Sequence, residues 1–235
     1  MRIAVLTPTY SGNVSRHYHY GMTDVGRWCR EKGHELIPIL VSGCGLIDQV
    51  RNNLLAKARE YDPDEIVFID DDVGFTANEF EKLLSHDVEM VGGVYRHKLE
   101  KESYPTQVIE NGQRKGDLVQ VTHLPAGFMR IRRDGLARML VKYGKTNECW
   151  YRNHAGRYKC LHLFAQGMAF TGDDETDIPS YVGEDVHFCN LFQAAGGTIW
   201  ADKSIKLTHT GEKTYEGDFG GWLDRDLATT KTESQ

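Results

Sequence analysis

The sequence predicts an α/β fold: one domain with a central, mostly parallel sheet flanked by helices and a smaller mixed or antiparallel part. Three observations carry that expectation. Short β-branched runs alternate with stretches of helical periodicity through the first half of the chain, the 235 residues are 40% hydrophobic, and no repeat or linker divides them before a polar end. A chain of this size buries about 70 to 75% of its unfolded surface in one core. Its 28 Lys and Arg against 34 Asp and Glu leave a charge of −6, which speaks against an electrostatic clamp for duplex nucleic acid. No apolar run reaches the ~18 residues of a membrane span, and MRIAVLTPTY lacks the pattern of a secretory signal. Five cysteines, at 29, 44, 149, 160 and 189, form no disulfide framework, so a reducing cytoplasm is the expected compartment.

The elements follow in order. Residues 3–6 are a buried strand that stops at Thr7-Pro8-Thr9. Met22, Val25, Trp28 and Cys29 recur at helical spacing before Gly33, which suits a helix C-terminus. Residues 35–41 give a second strand. Ile47, Val50, Leu54, Leu55 and Ala58 share one helical face, and Asp62-Pro63-Asp64 breaks the chain before a third strand at 65–69. Thr76 with Glu79 three positions on has the form of a capping box, opening a helix through Leu84. A fourth strand covers 88–94. Such β-α alternation favours right-handed parallel crossovers, with ligands at the C-terminal strand ends. Beyond residue 106 the rhythm shortens: an Asn111-Gly112 hairpin turn, a strand at 126–131 and a helix at 136–143. Residues 145–182 lack periodicity and read as a mobile or substrate-shaping region. A helix at 184–195 and strands at 198–201 and 205–209 complete residues 1–225, divided into a 1–105 nucleotide-binding half and a 106–225 acceptor half, before a polar tail at 226–235.

Asp70, Asp71 and Asp72 follow the third strand. In extended chain, residues two apart share a face, so Asp70 and Asp72 are expected to point together. Two readings are open. The triplet is either a solvated acidic turn or the oxygen ligands of a hard cation such as Mn²⁺ or Mg²⁺, which commonly brings phosphate oxygens with it.

The strand end belongs to a longer pattern: Thr7-Pro8-Thr9-Tyr10, Arg51-Asn52, Phe68-Ile69-Asp70-Asp71-Asp72, Gly183-Glu184-Asp185-Val186 with Ala195-Gly196-Gly197, Ile199-Trp200-Ala201-Asp202, and Leu207-Thr208-His209-Thr210-Gly211. In this order, over roughly residues 2 to 215, the chain resembles the GT-A fold glycosyltransferases of the Asp-x-Asp, metal-dependent type, similar to family 2 and to its compact phage and bacterial members. That resemblance implies transfer of a sugar from a nucleotide-diphosphate donor, most simply a UDP-sugar. Thr7, Pro8, Thr9 and Tyr10 would then hold base and ribose, with Arg51, Asp70 and Asp71 near the nucleotide. Asp70 and Asp72 would carry metal and diphosphate, with His209 as an additional metal ligand. Asp185 would be the general base and Glu184 would orient the acceptor. A helix cap explains the last pair as well. Gly127 and Phe128 would let backbone approach the donor sugar, although a tight turn accounts equally for the glycine.

For the acceptor, the resemblance to compact phage proteins points to a hydroxymethylated pyrimidine in DNA, beside a saccharide or protein hydroxyl. Arg130, Arg132, Arg133, Arg138, Lys142 and Lys145 could contact phosphates, or form a solvated helix face. Trp150, Tyr151 and Tyr158 could stack on an extruded base beside Arg152 and Arg157. Cys149, His154, Cys160 and His162 are potential zinc ligands whose spacing matches no common zinc module. A nucleotidyltransferase and a nucleotide-sugar-binding module are the rival classes.

Overall fold

The computed structural model describes residues 1–153, 156–169, 180–211 and 213–233. Arg2–Thr9 (β1), Arg16–Lys32 (α1), Glu35–Ser42 (β2), Ile47–Arg59 (α2), Glu65–Ile69 (β3), Val73–Gly74 (β4), Ala77–Ser85 (α3) and Met90–Gly92 (β5) give the alternation of the first half. Their ends have local causes. Ser15 caps α1 by accepting the Tyr18 N–H at 3.1 Å, and Gly33 ends it at φ 69°, a left-handed conformation that glycine adopts without strain. The Glu79 carboxylate reaches back to the Thr76 N–H at 3.2 Å, so the capping box forms.

The second half contributes Arg114–Lys115 (β6), Leu118–Gln120 (β7), Phe128–Arg132 (β8), Arg133–Tyr143 (α4), Glu148–Asn153 (β9), Gly156–Leu161 (β10), Gly167–Ala169 (β11) and Ser180–Val182 (β12). Glu184–Ala194 (α5), Ile199–Asp202 (β13), Thr208–Thr210 (β14), Thr214–Glu216 (β15) and Phe219–Glu233 (α6) follow. Three details differ from the sequence reading. The β6–β7 hairpin turns at Gly116, φ 63°, while Asn111-Gly112 forms a separate turn closed by the Gly112 N–H on the Ile109 carbonyl. Residues 145–182, where no periodicity is visible, supply two antiparallel strand pairs, β9 with β10 and β11 with β12. The segment read as a polar tail is helical through Glu233, anchored upstream by buried Phe219 and Leu223.

One eight-stranded sheet runs in the order β2-β1-β3-β8-β5-β13-β7-β6. The β2-β1-β3 wall is parallel, and β8 is inserted antiparallel between β3 and β5. Side chains alternate across it into two cores. Ala4, Leu6, Ile66, Phe68, Met129 and Ile131 pack on α2, α4, α5 and α6. Ile3, Val5, Val67, Ile69, Phe128 and Trp200 pack on α1 and α3. Each such buried side chain contributes about 1.5–3 kcal/mol, so the wall is the firm part of the molecule.

The reversed β8 decides what meets at the sheet's edge. Phe128 at its start lies opposite Ile69 at the end of β3, so Gly127 is carried to Asp70, whose N–H donates to the Gly127 carbonyl at 3.1 Å. Arg132 at the other end of β8 pairs with Glu65, about 13 Å away along β3.

Candidate active site

At the end of β1, Thr7 is buried and shares a 2.6 Å hydrogen bond with the Tyr18 hydroxyl, so its own hydroxyl braces β1 on α1 instead of facing the cleft. Thr9 donates to the Asn13 carbonyl at 2.8 Å and accepts the Gly12 N–H at 3.2 Å, folding the loop that follows. Tyr10 stands out at 77% exposure. A cleft of about 340 Å³ opens between Pro8, Thr9 and Tyr10, the Cys44–Gly45 loop after β2, Ile47 and Val50 of α2, and the three aspartates. Cys44 and Gly45 were not foreseen. The available signal was topological: the loop after a neighbouring parallel strand lies at the same sheet edge.

The aspartates are not extended chain. Strand β3 stops at Ile69, and residues 70–73 form a turn closed by the Val73 N–H on the Asp70 carbonyl at 3.1 Å. Alternation along a strand therefore does not pair Asp70 with Asp72. Partners from elsewhere in the chain orient each of them.

Asp70 turns inward to Arg51, which is 3% exposed near the start of α2. One Arg51 terminal nitrogen lies 3.1 Å from Asp70 Oδ2 and 3.0 Å from Oδ1, and Arg51 Nε donates to Glu184 Oε1 at 3.0 Å. One guanidinium thus serves two half-buried carboxylates from distant segments. Burial raises the Asp70 pKa; Arg51 opposes that shift and Asp72 adds to it. Burial alone would lower the Arg51 pKa, but Asp70 and Glu184 hold it above its ordinary value. Asp71 presents its carbonyl to the Ser15 N–H at 2.8 Å, and burial raises its carboxyl against a Thr9 hydrogen bond.

Asp72 faces outward. Its Oδ2 accepts from Lys98 Nζ at 2.5 Å, and its Oδ1 lies 3.6 Å from His209 Nε2. Burial works to raise its pKa, but His209 and Lys98 together hold it below the ordinary carboxylate value. Lys98 was not foreseen either, since Arg96-His97-Lys98-Leu99-Glu100-Lys101-Glu102 reads as a plain charge run.

Glu184 and Asp185 open α5 behind Gly183. Asp185 Oδ1 accepts the Val186 N–H at 2.8 Å, so a capping contact exists, and Glu184 is tied to Arg51. Burial first, then Glu184, raises the Asp185 pKa, with Arg51 opposing. Asp185 is thus a carboxylate with raised proton affinity beside the Arg51 pair. The Gly127 backbone sits so close that a Cβ there would lie 2.7 Å from Asp70 Oδ2 and from the Tyr95 ring. Phe128, in contrast, is fully buried against Phe75, with ring centroids 5.3 Å apart, and its side chain does not reach the cleft.

Among the described residues no three His, Cys, Asp or Glu side chains converge as a metal cluster. Asp72 and His209 nevertheless fit part of a cation site. His209 Nδ1 donates to the Arg96 carbonyl at 2.9 Å, which fixes the ring and leaves Nε2 facing the Asp72 oxygen. A ligating histidine commonly has such a backbone partner on its second nitrogen. Two protein ligands suit Mg²⁺ or Mn²⁺ completed by phosphate oxygens, not an all-protein cage. Asp70, committed to Arg51, does not join them.

Other expected groupings do not form at this edge. Cys149 and Cys160 face each other across β9–β10 with sulfurs 3.3 Å apart, His162 does not join them, and His154 lies outside the described residues. The basic stretch sits at the opposite end of the sheet. Arg130 is fully buried and donates to the carbonyls of Leu83, His86 and Val88, closing the C-terminal turn of α3. Arg132 pairs with Asp87 and Asp134, Arg133 with Asp62 and Asp64, Arg138 with Glu89, and Lys142 with the Ala194 carbonyl. Arg132 and Arg133, the proposed phosphate contacts for DNA, are therefore engaged away from the cleft. Trp150 is 54% exposed on β9, whereas the side chains of Tyr151, Arg152, Arg157 and Tyr158 lie outside the described set. No helix among the described residues is long and apolar enough to cross a membrane.

No known family profile and no curated protein matches the chain. Solved structures do. The crystal structure of A197 from STIV aligns over 90% of this chain and 86% of its own, at 18% identity and a TM-score of 0.51. A glycosyltransferase involved in glycosylation of the major capsid of PBCV-1 aligns over 58% of this chain and 63% of its own, at 12% identity and a TM-score of 0.33. A Drosophila beta-1,4-galactosyltransferase 7 mutant, solved with manganese, UDP-Gal and xylobiose, aligns over 91% and 69%, at 13% identity and a TM-score of 0.43. The first shares the fold; the other two superpose too loosely to add to the argument.

Proposed function

We propose that this chain is a glycosyltransferase that moves a sugar from a nucleoside-diphosphate donor, with UDP as the nucleotide, to an acceptor hydroxyl. The observation that carries the reading is the meeting of Asp70 and Glu184 on one buried guanidinium, with Asp185 next to Glu184 at the start of α5, beside a cleft at the C-terminal ends of β1 and β3. Ligands on sheets of this kind bind at that edge. The agreement of these residues with the Asp-x-Asp and Glu-Asp segments of GT-A glycosyltransferases selects the chemistry.

The geometry supports the following roles. Tyr10 offers an exposed ring to the nucleotide base, and Pro8, Thr9, Cys44 and Gly45 form the walls. Arg51 holds Asp70 and Glu184 in place, so the floor of the site is built before any ligand enters. Asp185, with its proton affinity raised by burial, accepts the acceptor's proton as the new glycosidic bond forms. Glu184, fixed by Arg51, flanks the acceptor. Asp72 and His209 would hold Mn²⁺ or Mg²⁺, which supplies positive charge for the leaving diphosphate.

The test is a panel of UDP-sugars incubated with Mn²⁺, followed by mass spectrometry on saccharide, protein and hydroxymethylcytosine-containing DNA acceptors. UDP release with a mass gain on one acceptor is the expected result, abolished by chelator and by Asp72→Asn. Sugar 1-phosphate in place of UDP would indicate nucleotidyl transfer, and donor binding without turnover on any acceptor would indicate a binding module.

A further inference from the structure

Lys98 and Arg96 belong to one short stretch that touches both halves of the candidate cation site. Arg96 gives its carbonyl to His209 Nδ1–H at 2.9 Å, and its guanidinium donates to the carbonyls of Leu99 at 2.7 Å, Glu100 at 3.0 Å and Glu216 at 3.3 Å. Those bonds fold the stretch over the β14–β15 hairpin, to which Glu100 also pairs through Lys213. Lys98 is thereby laid against Gly211, where a Cβ would sit 3.0 Å from Lys98 Cδ. Its ammonium ends 2.5 Å from Asp72 Oδ2, with the two side chains 35% and 32% exposed. The ammonium therefore neutralises the same carboxylate that faces His209, from a position that a flexible, partly exposed side chain can leave.

We propose that Lys98 is the resident counter-ion of Asp72 in the donor-free protein and couples cation binding to donor binding. This rests on the reading of Asp72 and His209 as cation ligands. A divalent cation arriving alone meets a carboxylate already neutralised and a positive charge beside it, so it binds weakly. A nucleoside diphosphate brings anionic oxygens that give Lys98 a new partner and the cation new ligands at once. Each ligand thus strengthens the other, and by linkage the two effects are equal in size. Lysine suits this role better than arginine at a fixed pair, because its ammonium is a compact charge on a flexible stem without a preferred fork geometry.

The experiment measures Mn²⁺ binding directly, from the free-ion electron paramagnetic resonance signal, with and without UDP, for the full chain and for Lys98→Met, Lys98→Arg and Asp72→Asn. UDP should tighten Mn²⁺ binding to the native chain by about tenfold or more, within the usual range of coupling between sites. Lys98→Met should bind Mn²⁺ alone about tenfold more tightly than the native chain does, with most of the UDP effect lost. Lys98→Arg, which keeps the charge, should remain a weak binder of Mn²⁺ alone. Binding that needs Asp72 but is the same or weaker in Lys98→Met overturns the counter-ion role and leaves the cation site standing. Absence of Mn²⁺ binding in every variant, with UDP present, overturns both.

Discussion

Asp70 and Asp72 stand two residues apart in one turn, yet they belong to different parts of the site. Asp70 is on the inner side, gripped by Arg51 from 19 residues away and by the Gly127 carbonyl, with burial raising its pKa. Asp72 is on the outer side, held by Lys98 from 26 residues away and facing His209; there burial is outweighed and its pKa is lowered. The difference teaches that an acidic motif supplies the chemistry but not the assignment. Which carboxylate braces the fold and which meets ligand depends on partners brought by β5, β8, α2 and β14.

The comparison breaks most visibly at Arg51. Arg51→Met leaves the largely covered Asp70 and Glu184 carboxylates without their cation and should destabilise the protein by about 3 kcal/mol, read from urea unfolding. Asp72→Asn, at the partly exposed end, should change stability by less than about 1 kcal/mol while removing turnover. Equal stability losses in the two variants would erase the distinction.

Asp185→Asn sharpens it at the level of chemistry. Sugar transfer should fall by about 10² or more while UDP-sugar affinity is kept, as for loss of a positioned base. A thermal shift without a change in transfer would leave the residue as a helix cap only.

Gly127→Ala tests how closely the inner side is packed. The added methyl would press on Asp70 and Tyr95 and should destabilise by about 1–3 kcal/mol, the usual range for overpacking a filled site. A crystal structure of the variant should show Asp70 displaced from Arg51.

The smallest effect is a matter of sign in pH. A carboxyl whose folded pKa is raised, as for Asp70, contributes stability fully present below the unfolded value near 3.8 and lost as pH rises through the folded pKa. Asp72 is depressed, so its contribution is present above the unfolded value and lost as pH falls through the folded pKa. From acid toward pH 7, Asp70→Asn should gain stability relative to the native chain and Asp72→Asn should lose it. Each change should be no more than about 1 kcal/mol, and smaller for the more exposed Asp72. Parallel curves in urea titrations would contradict the two environments.

Much of the inner side was legible in the sequence. The apolar run 66–69 ending in three aspartates places them at a strand end, and Thr76 with Glu79 announces α3 through a hydrogen bond that depends only on neighbours. Arg51 and Glu184 could be singled out by resemblance, but not paired, because no local pattern tells a helix-opening carboxylate that caps from one that binds a distant guanidinium. The reversed β8 was hidden for a similar reason: alternation reports which faces are buried, not the direction of the neighbouring strand. Arg130 looks like its charged neighbours in the chain, and only the folded structure shows it fully buried on the carbonyls of Leu83, His86 and Val88 around the end of α3. Lys98 lay in a charge run whose members gain different partners only in the fold, Asp72 for Lys98 and Lys213 for Glu100.

In the proposed function this strand edge binds a nucleoside diphosphate through a cation on the Asp72 side and does chemistry with Asp185 on the other. Calorimetric titration of UDP into the native chain, Asp72→Asn and Asp185→Asn, each with Mn²⁺ and with excess chelator, tests it most directly. The expected result is Mn²⁺-dependent binding in the native chain, its loss in Asp72→Asn, and its retention in Asp185→Asn. UDP binding of equal strength in chelator and in Asp72→Asn would contradict it.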